Sequence, residues 1–368
     1  MTLIGIILSP LGLIWGLVAQ VKRWVYDFTK LRKTAALPNL VVGNLSVGGS
    51  GKTPTLIWLH HQFIQLGIPA NHIGVLSRGY KRKTTGFLWA TTQSNAHDIG
   101  DEPLEIATAL KSANKTIAVC ENRLIGMEKM HQESPDLSLV LLDDGFQHLR
   151  LQPTLSVIVC DYNNLFTRDW PMPASKLREF PWAAIHANAI LVSNCPPSLS
   201  QQEAAQLKKS LLQSMKRWMV VGLNARKSIA WENHIGFLTT TTSPAVSPFD
   251  QSKTLQKEPI LLITGIANPH RVVNNLSAHE VVKHYAFPDH HQFNQDSLAK
   301  IQSEFNQLQE NHPNLAVVTT RKDWVKLQYL WPQNRPIFVV SSTVSPLFET
   351  QPMIQTLLTQ FIHEHHID

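Results

Sequence analysis

Residues 41–54, VVGNLSVGGSGKTP, limit the folds open to this chain more than any other stretch. A short apolar run leads into a loop with three glycines, and a helix-like stretch follows the tripeptide Gly-Lys-Thr. Glycines let backbone N–H groups close around phosphate oxygens without a Cβ in the way. The positive N-terminal end of the helix points at the same anion. This order of strand, loop and helix predicts a phosphate-binding loop of the P-loop type.

The residues of this loop are expected to hold a nucleotide. The predicted binding residues are Ser46, Val47, Gly48, Gly49, Ser50, Gly51, Lys52 and Thr53. Lys52 can reach the β- and γ-phosphates of ATP, and the hydroxyl of Thr53 can ligate Mg²⁺. The loop departs from the usual pattern GxxxxGK[ST] because Ser46 stands at the position of the first glycine.

A second motif follows about ninety residues later, where residues 137–151 read LSLVLLDDGFQHLRL. A buried strand ends in Asp143 and Asp144, which precede Gly145. In a P-loop fold, such an acidic strand end lies beside the phosphate loop and holds Mg²⁺ directly or through water. Taken alone, the same three residues could form an ordinary turn. Together with the glycine-rich loop they predict a metal site formed by Thr53, Asp143 and Asp144.

The distribution of apolar runs predicts the α/β class, with a parallel, P-loop NTPase-like sheet as the core. The runs in the first part of the chain are 40–42, 73–76, 116–120, 137–142, 155–160 and 189–192. They are rich in Val, Ile and Leu and do not alternate with polar residues, which is typical of strands buried on both faces. Helical patterns at 53–66 and 201–215 lie between some of them.

The rest of the chain predicts a second, smaller α/β domain. Strand-like runs recur at 260–264, 316–319 and 337–340. Residues 239–258 contain four consecutive threonines and two prolines, which favours a linker or a surface insertion. The expected organisation is an N-terminal segment 1–33, a core domain 34–230, a linker 231–258 and a smaller domain 259–368.

The N-terminal segment predicts a membrane-associated helix. Residues 3–19 are almost wholly apolar, and cations interleaved with aromatic residues follow them. The cations are Lys22, Arg23, Lys30, Arg32 and Lys33, and the aromatic residues are Trp24, Tyr26 and Phe28. Aromatic rings at headgroup depth and cations on anionic lipid would place the remaining chain on the cytoplasmic side, whether the helix spans the bilayer or lies in one leaflet. The alternative is a buried first helix of the globular domain.

The overall charge agrees with a phosphate-rich ligand or an anionic membrane surface. The net charge is +6, from 33 basic and 27 acidic residues. Apart from the N-terminal group the cations are scattered, and no zinc-finger or RNP-like pattern is present, so no nucleic-acid partner is expected.

Eight segments in order resemble the tetraacyldisaccharide 4′-kinase family, the lipid A 4′-kinases of Gram-negative bacteria. They are GNLSVGGSGKTP (43–54), LSRGYKRK (76–83), GDEP (100–103), ENRLIG (121–126), LLDDGFQH (141–148), PASKLRE (173–179), FPDH (287–290) and TTRKDWVKL (319–327). The apolar start is also similar to that family's N-terminal membrane helix. The resemblance implies ATP-dependent phosphorylation of the 4′-hydroxyl of a tetraacylated glucosamine disaccharide 1-phosphate, which forms lipid IVA in lipopolysaccharide biosynthesis.

The resemblance also implies a catalytic pair, Asp101 of GDEP and His290 of FPDH, alongside Lys52. We expect Asp101 to receive the proton of the sugar hydroxyl while His290 orients it, although the reverse order is possible. Alternatively, Asp101 could cap a helix and His290 could be an ordinary turn residue.

Further residues in the shared motifs have expected roles. Arg78, Arg123 and Arg178 are expected to meet phosphates of ATP or of the lipid, with surface ion pairs as the alternative. Gln147 and His148 follow the metal carboxylates and are expected to support them.

Three residues depart from the family pattern, namely Ser175, Arg321 and Trp324, and residues 239–258 resemble an insertion specific to this chain. The expected partners are the lipid substrate and a membrane surface, on the cytoplasmic face of the bacterial inner membrane, without a protein partner.

Two other functions fit a phosphate loop at a membrane. A GTPase or ATPase switch would hydrolyse nucleotide without an acceptor, but the nearest string to its NKxD base-reading motif, residues 320–323, has its lysine one place too late. A scaffold with a degenerate nucleotide site would not need Lys52, Thr53 and the two aspartates together.

Overall fold

The structure, a computed structural model, describes residues 3–111, 115–219, 234–332 and 335–367. The expected domain boundary at residues 230–231 lies outside the described residues. The helices are α1 Leu3–Ile7, α2 Ser9–Phe28, α3 Lys52–Gln65, α4 Ala96–Ile99, α5 Asp101–Leu110, α6 Arg123–Glu133, α7 Gln201–Met219, α8 Pro269–Asn275, α9 Gln295–Asn311, α10 Arg321–Leu327 and α11 Thr350–Glu364. The strands are β1 Asn39–Gly43, β2 Ile73–Ser77, β3 Leu88–Trp89, β4 Ile117–Val119, β5 Leu139–Asp143, β6 Leu155–Asp161, β7 Ala189–Cys195, β8 Ile235–Thr242, β9 Ile260–Thr264, β10 Val281–Ala286, β11 Ala316–Thr320, β12 Ile337–Val340 and β13 Ser342–Leu347.

A large sheet forms the core, with strand order β13-β8-β7-β6-β1-β5-β2-β4-β3. Its seven central strands pair in parallel, whereas the edge strands β3 and β13 pair antiparallel. The residues of β1, β2 and β5 are all buried, as the unbroken apolar runs of the sequence predict. The predicted α/β class with a mainly parallel sheet is therefore confirmed.

Helices cover both faces of this sheet. The apolar residues of α3, α5 and α11 form one cluster with the strands, and those of α6 and α7 form the other. The sheet is thus doubly wound, and the carboxyl ends of its strands are left open at one edge, where such folds bind ligands.

A smaller sheet contains four parallel strands in the order β10-β9-β11-β12. Helices α9 and α10 pack on one face and α8 on the other. This unit contains the three strand-like runs that predicted a second α/β domain.

The structure corrects the expected linker at residues 239–258. The four threonines are the end of β8, which pairs with β7 and β13 in the large sheet. β-branched threonine fits a half-buried strand, and β13 supplies the partner that a sequence pattern does not reveal. Residues 243–258 pack on the smaller sheet, where Val246 exchanges backbone hydrogen bonds with Val339 of β12.

The C-terminal boundary of the smaller domain is also corrected. After β12 the chain returns to the large sheet through β13, and α11 packs against α3 with the rings of Phe63 and Phe361 5.8 Å apart. Residues 342–367 therefore belong to the core and not to the smaller domain, because contacts distant in sequence decide where they pack.

Helix α2 packs along residues 170–186, and the glycines of the helix allow the two segments to approach closely. A Cβ on Gly16 would lie 2.5 Å from the ring of Phe180, and one on Gly12 would lie 2.6 Å from the carbonyl oxygen of Pro171. Within the described residues, no helix is both long and apolar enough to cross a bilayer. The expectation that Arg23 meets lipid is wrong, because its side chain is buried against Glu179.

Candidate active site

The phosphate loop leaves the carboxyl end of β1 and enters α3 at Lys52. Gly48 and Gly51 have φ values of +116° and +78°, a backbone conformation that side chains with a Cβ rarely adopt. The hydroxyl of Ser193, on β7, donates a 2.6 Å hydrogen bond to the carbonyl oxygen of Ser50. These contacts hold the loop open at the N-terminal end of α3, as the sequence predicts for an anion site.

The acidic strand end lies beside this loop because β5 pairs directly with β1, with Asp143 opposite Val42. The Nζ atom of Lys52 is 4.0 Å from Oδ1 of Asp144. Arg178 also binds Asp144, with 2.8 Å between Nη1 and Oδ1. The structure therefore brings Lys52, Thr53, Asp143 and Asp144 together at one edge of the sheet.

The two carboxylates differ in charge state. Burial, reinforced by the negative charges of Glu102 and Asp144, raises the pKa of Asp143 to about 7. Burial also raises the pKa of Asp144, but the positive charges of Lys52 and Arg178 outweigh it, so that this pKa lies below its ordinary value. The environment of the two carboxyl groups therefore disfavours the ionised form of Asp143 and favours that of Asp144.

A divalent cation fits this pair of carboxylates. Oδ1 of Asp143 is buried without a hydrogen-bond partner, while Oδ2 accepts a 3.1 Å bond from the hydroxyl of Ser77. Two carboxylates suit Mg²⁺, which uses one or two of them and takes its other ligands from phosphates and water. Among the described residues no group of three His, Cys, Asp or Glu side chains could hold a metal.

Asp101 and His290 meet across the two domains. Nδ1 of His290 lies 3.2 Å from Oδ2 of Asp101, whose residue is 7 % exposed. The N-cap of α5 is Gly100, and Asp101 is the first residue of the helix, so Asp101 does not act as its cap. Burial raises the pKa of Asp101, but the hydrogen bond to His290 and the charge of Lys326 lower it more, so that the carboxylate stays ionised.

Two lysines that the sequence analysis left without a role surround this pair. Nζ of Lys326 lies 3.8 Å from Oδ2 of Asp101. Lys322 approaches the other ring nitrogen of His290 at 3.4 Å and pairs with Asp289 at 2.7 Å. Both lysines belong to the segment TTRKDWVKL, one of the motifs shared with the family. Their proximity to Asp101 and His290 depends on the tertiary structure and could not be derived from that motif.

A cleft of about 550 Å³ separates the two domains. The whole phosphate loop lines one side, and residues of the smaller domain, including Asp289 and Lys322, line the other. Arg271 of α8 donates a 2.7 Å hydrogen bond to Asn194 of β7, and both residues line the cleft. The cleft is large enough for a nucleotide and is lined by polar groups from both domains.

The three arginines of the shared motifs occupy different environments. Arg178 binds Asp144 beside the cleft, and Arg78 is exposed at the end of β2. Arg123 is 3 % exposed, and its guanidinium donates to main-chain carbonyls of Cys120 and Asp143. Its side chain therefore supports the turn that follows β5.

Gln147 and His148 both contact residues around Asp143 and Asp144. The side-chain oxygen of Gln147 accepts a 3.0 Å hydrogen bond from Arg178, and its nitrogen donates to the carbonyl oxygen of Asn44. Nε2 of His148 accepts a 3.1 Å bond from the backbone N–H of Arg123.

Two of the departures from the family pattern, Arg321 and Trp324, lie in α10 of the smaller domain. Trp324 packs edge to face on Phe249 of the 243–258 segment, with ring centroids 5.6 Å apart. Arg321 lines the cleft together with Glu105 of α5. Burial raises the pKa of Glu105 to about 7 although Lys322 and Arg321 lower it.

Known proteins resemble this chain over almost its entire length. Residues 4–362 match the family model described as Tetraacyldisaccharide-1-P 4′-kinase. The Tetraacyldisaccharide 4′-kinase of Cytophaga hutchinsonii is 34 % identical over 371 residues, which cover 98 % of this chain and 97 % of the relative. The protein of the same name from Bacteroides thetaiotaomicron is 34 % identical over 330 residues, covering 87 % and 82 %.

The fold also matches a solved structure. The structure of LpxK from Aquifex aeolicus in complex with ATP has a TM-score of 0.70, with 21 % identity, and covers 97 % of this chain and 99 % of its own. By the family model and by its relatives, this chain belongs to the tetraacyldisaccharide-1-phosphate 4′-kinase family.

Proposed function

We propose that this chain is a kinase that transfers the γ-phosphoryl group of ATP to the 4′-hydroxyl of tetraacyldisaccharide 1-phosphate, forming lipid IVA. Membership of the family supports the reaction and the substrate. The observation that carries the proposal is the contact between Asp101 and His290, whose chain neighbours Glu102 and Asp289 line the same cleft as the phosphate loop. A loop alone binds nucleotide, whereas an ionised carboxylate beside the same cleft suits an alcohol acceptor.

ATP binds in this proposal with its phosphates on the backbone N–H groups of residues 46–53. Lys52 approaches the β- and γ-phosphates, and Thr53, Asp143 and Asp144 hold Mg²⁺. When bound, Mg²⁺ neutralises charge on the phosphate oxygens and lowers the barrier to transfer. The raised pKa of Asp143 supports this assignment, since burial and the nearby charges of Glu102 and Asp144 disfavour its ionised form and a bound cation would offset both.

Asp101 accepts the proton of the 4′-hydroxyl as the oxygen attacks the γ-phosphorus and the bond to ADP breaks. The lowered pKa of Asp101 keeps its carboxylate ionised at neutral pH. His290 holds Asp101 in position through the contact at Nδ1. Phosphoryl transfer depends mainly on such positioning and on charge neutralisation, and Lys322 and Lys326 add positive charge on the acceptor side.

Arginines assist with phosphate binding in this scheme. Arg178, beside Asp144, is suited to the nucleotide phosphates, and the exposed Arg78 to the 1-phosphate of the lipid. Arg123 assists phosphate binding indirectly, because it supports the turn that contains Asp143 and Asp144.

The enzyme works at a membrane surface, on the cytoplasmic face of the inner membrane. The support is a continuous exposed apolar face on α1 and α2, which lies next to the site because α2 packs on the Arg178 segment. The exposed residues are Leu3, Ile4, Ile6, Ile7, Leu11, Leu13, Ile14, Trp15, Leu17, Val18, Val21, Val25 and Phe28. An amphipathic helix of this kind lies in the interface and buries its apolar face among the acyl chains.

The proposal is tested by a nucleotide assay with and without acceptor. Purified protein with Mg-ATP should release ADP in proportion to added tetraacyldisaccharide 1-phosphate and little without it. Lys52→Ala should abolish the lipid-dependent release. Equal hydrolysis in both conditions, or a preference for GTP, would instead favour a nucleotide switch.

A further inference from the structure

One side of helix α2 is exposed and apolar, and the helix also contacts the active-site segment 176–179 directly. The indole Nε1 of Trp15 donates a 3.0 Å hydrogen bond to the carbonyl oxygen of Arg178. Two turns further along α2, Arg23 reaches the next residue of the segment, Glu179. Two consecutive residues, Arg178 and Glu179, are therefore fixed by one face of α2.

The Arg23–Glu179 pair is a buried, bidentate ion pair. Nε and Nη2 of Arg23 donate 2.8 Å hydrogen bonds to the two carboxylate oxygens of Glu179, and the side chains are 2 % and 8 % exposed. The guanidinium also lies 5.0 Å above the ring of Phe146. Removing one partner of such a pair leaves an uncompensated charge inside the protein, which the neighbouring groups must then accommodate.

Hydrogen bonds connect the Arg23–Glu179 pair to Asp144. Gln147 Nε2 donates to Oε1 of Glu179 at 3.2 Å, and Gln147 Oε1 accepts from Nη1 of Arg178 at 3.0 Å. The same Nη1 binds both oxygens of Asp144 at 2.8 and 3.0 Å. An unbroken chain of contacts thus runs from Arg23 in α2 to Asp144.

The segment 176–179 also holds the start of the phosphate loop. The backbone N–H of Arg178 donates to the carbonyl oxygen of Leu45 at 2.8 Å, and that of Val47 donates to the carbonyl oxygen of Lys176 at 2.8 Å. Gln147 adds a 2.9 Å hydrogen bond to the carbonyl oxygen of Asn44. A displacement of Glu179 would therefore shift the start of the phosphate loop as well as Asp144.

We propose that Arg23 is a positioning residue of the active site, through which the packing of α2 sets the geometry of Arg178 and Asp144 and hence the affinity for Mg-nucleotide. This inference rests on the proposed function and extends it, since it makes the membrane-facing helix part of the metal site. When Arg23 is lost, the Glu179 carboxylate competes with Asp144 for Arg178 and draws Gln147 away from it. Groups that orient metal ligands in this way contribute about 10–100-fold to metal affinity or activity.

The experiment compares Arg23→Gln and Glu179→Gln with a control on the same helix. Asp27→Asn removes a carboxylate of α2 that pairs with Arg32 at 2.6 Å and with His186 at 3.5 Å. Calorimetry should measure ATP binding to the full chain in detergent micelles, with Mg²⁺ and with EDTA. Kinetic assays should give kcat and the KM for the lipid.

We expect Arg23→Gln and Glu179→Gln to weaken Mg-dependent ATP binding and to lower kcat by about 10-fold or more. Metal-free ATP binding and the KM for the lipid should change by less than about 2-fold, and Asp27→Asn should resemble the wild type. Combining Arg23→Gln with Arg178→Lys should add little to the effect of either, since both act on Asp144. Arg23→Lys keeps the charge and should recover most of the Mg²⁺ dependence.

A different pattern would overturn the inference. If Arg23→Gln and Arg23→Lys fold but change only the thermal midpoint or the KM for the lipid, α2 serves as an anchor alone. If Arg23→Gln does not fold, a Glu179→Gln variant that folds and binds Mg-ATP like the wild type overturns the inference equally. Wild-type protein that binds Mg-ATP tightly without phosphorylating the lipid would contradict the proposed function and leave the binding test of Arg23 intact.

Discussion

Nδ1 of His290 lies 3.2 Å from Oδ2 of Asp101, although 189 residues separate them in the chain and they belong to different domains. The contact joins the two domains beside the cleft, whose lining includes the neighbouring residues Glu102 and Asp289. The smaller domain therefore completes the site, and a movement that opened the cleft would separate the pair.

Asp101→Asn should reduce turnover without weakening nucleotide binding. The substitution keeps the size of the side chain but removes the proton acceptor, and general-base catalysis contributes about 10²–10⁴-fold. Nucleotide affinity should stay near the wild-type value, and the thermal midpoint should fall modestly, because the variant weakens the contact with His290 while Gly100, not Asp101, caps α5. A large loss of stability with normal turnover per folded molecule would show that Asp101 has a structural role instead.

His290→Ala should shift the acidic limb of the pH–activity profile to higher pH. Burial raises the pKa of Asp101, and the hydrogen bond to His290 is the largest opposing contribution, so its loss raises that pKa. A carboxylate whose pKa is lowered stabilises the folded state above its unfolded pKa, and this stability is lost as the pH falls through the folded pKa. The variant should therefore also be less stable at neutral pH. His270→Ala, an exposed histidine of the same domain, provides the control. An unchanged acidic limb in His290→Ala would contradict the role of His290.

The stabilisation by Mg-ATP should increase with pH, and Asp143 should be responsible. The pKa of Asp143 is raised to about 7 without a cation, so a proton competes with Mg²⁺ below that pH. Its raised pKa also means that the metal-free protein loses stability as the pH rises between the unfolded value and about 7. Thermal unfolding with and without Mg-ATP should therefore show a larger shift in midpoint at alkaline than at acidic pH. Asp143→Asn should remove this difference between alkaline and acidic pH. If the variant still shows the difference, another group causes the pH dependence.

Charged substitutions on the outer face of α2 should release the protein from membranes without unfolding it. Ile14 and Val18 are 57 % and 62 % exposed, so Ile14→Glu with Val18→Glu removes little packing in the folded chain. Sedimentation with anionic vesicles should show weaker binding, and the thermal midpoint in solution should remain. Ile125→Glu, at a 51 % exposed position of α6, should leave vesicle binding unchanged. Equal binding of all variants would place the membrane contact elsewhere.

The phosphate loop and the acidic strand end could be predicted because their signals are local. Each lies within about fifteen consecutive residues, and adjacent parallel strands bring the two together once the sheet forms. The end of β8 was missed because Thr239 and its neighbours carry no apolar signal and depend on β13, about a hundred residues later, for pairing.

Arg23 shows a different limit of sequence reasoning. In the sequence it belongs to a basic, aromatic flank that is typical of a membrane surface, and its partner Glu179 is 156 residues away. Arg23 lies on the same side of α2 as the glycines that pack against residues 170–186, so its side chain is buried in the protein. The roles of Lys322 and Lys326 could not be derived either, because the contact between α10 and α5 decides them.

The most direct test of the central claim is to locate the phosphate on the lipid product. Full-length protein with Mg-ATP and tetraacyldisaccharide 1-phosphate should yield a bis-phosphorylated lipid, and fragmentation in the mass spectrometer should place the new phosphate on the 4′-position. Lys52→Ala, prepared in parallel, should return the substrate unchanged. A wild-type preparation that binds Mg-ATP but leaves the lipid with one phosphate, or adds phosphate at another hydroxyl, would contradict the account.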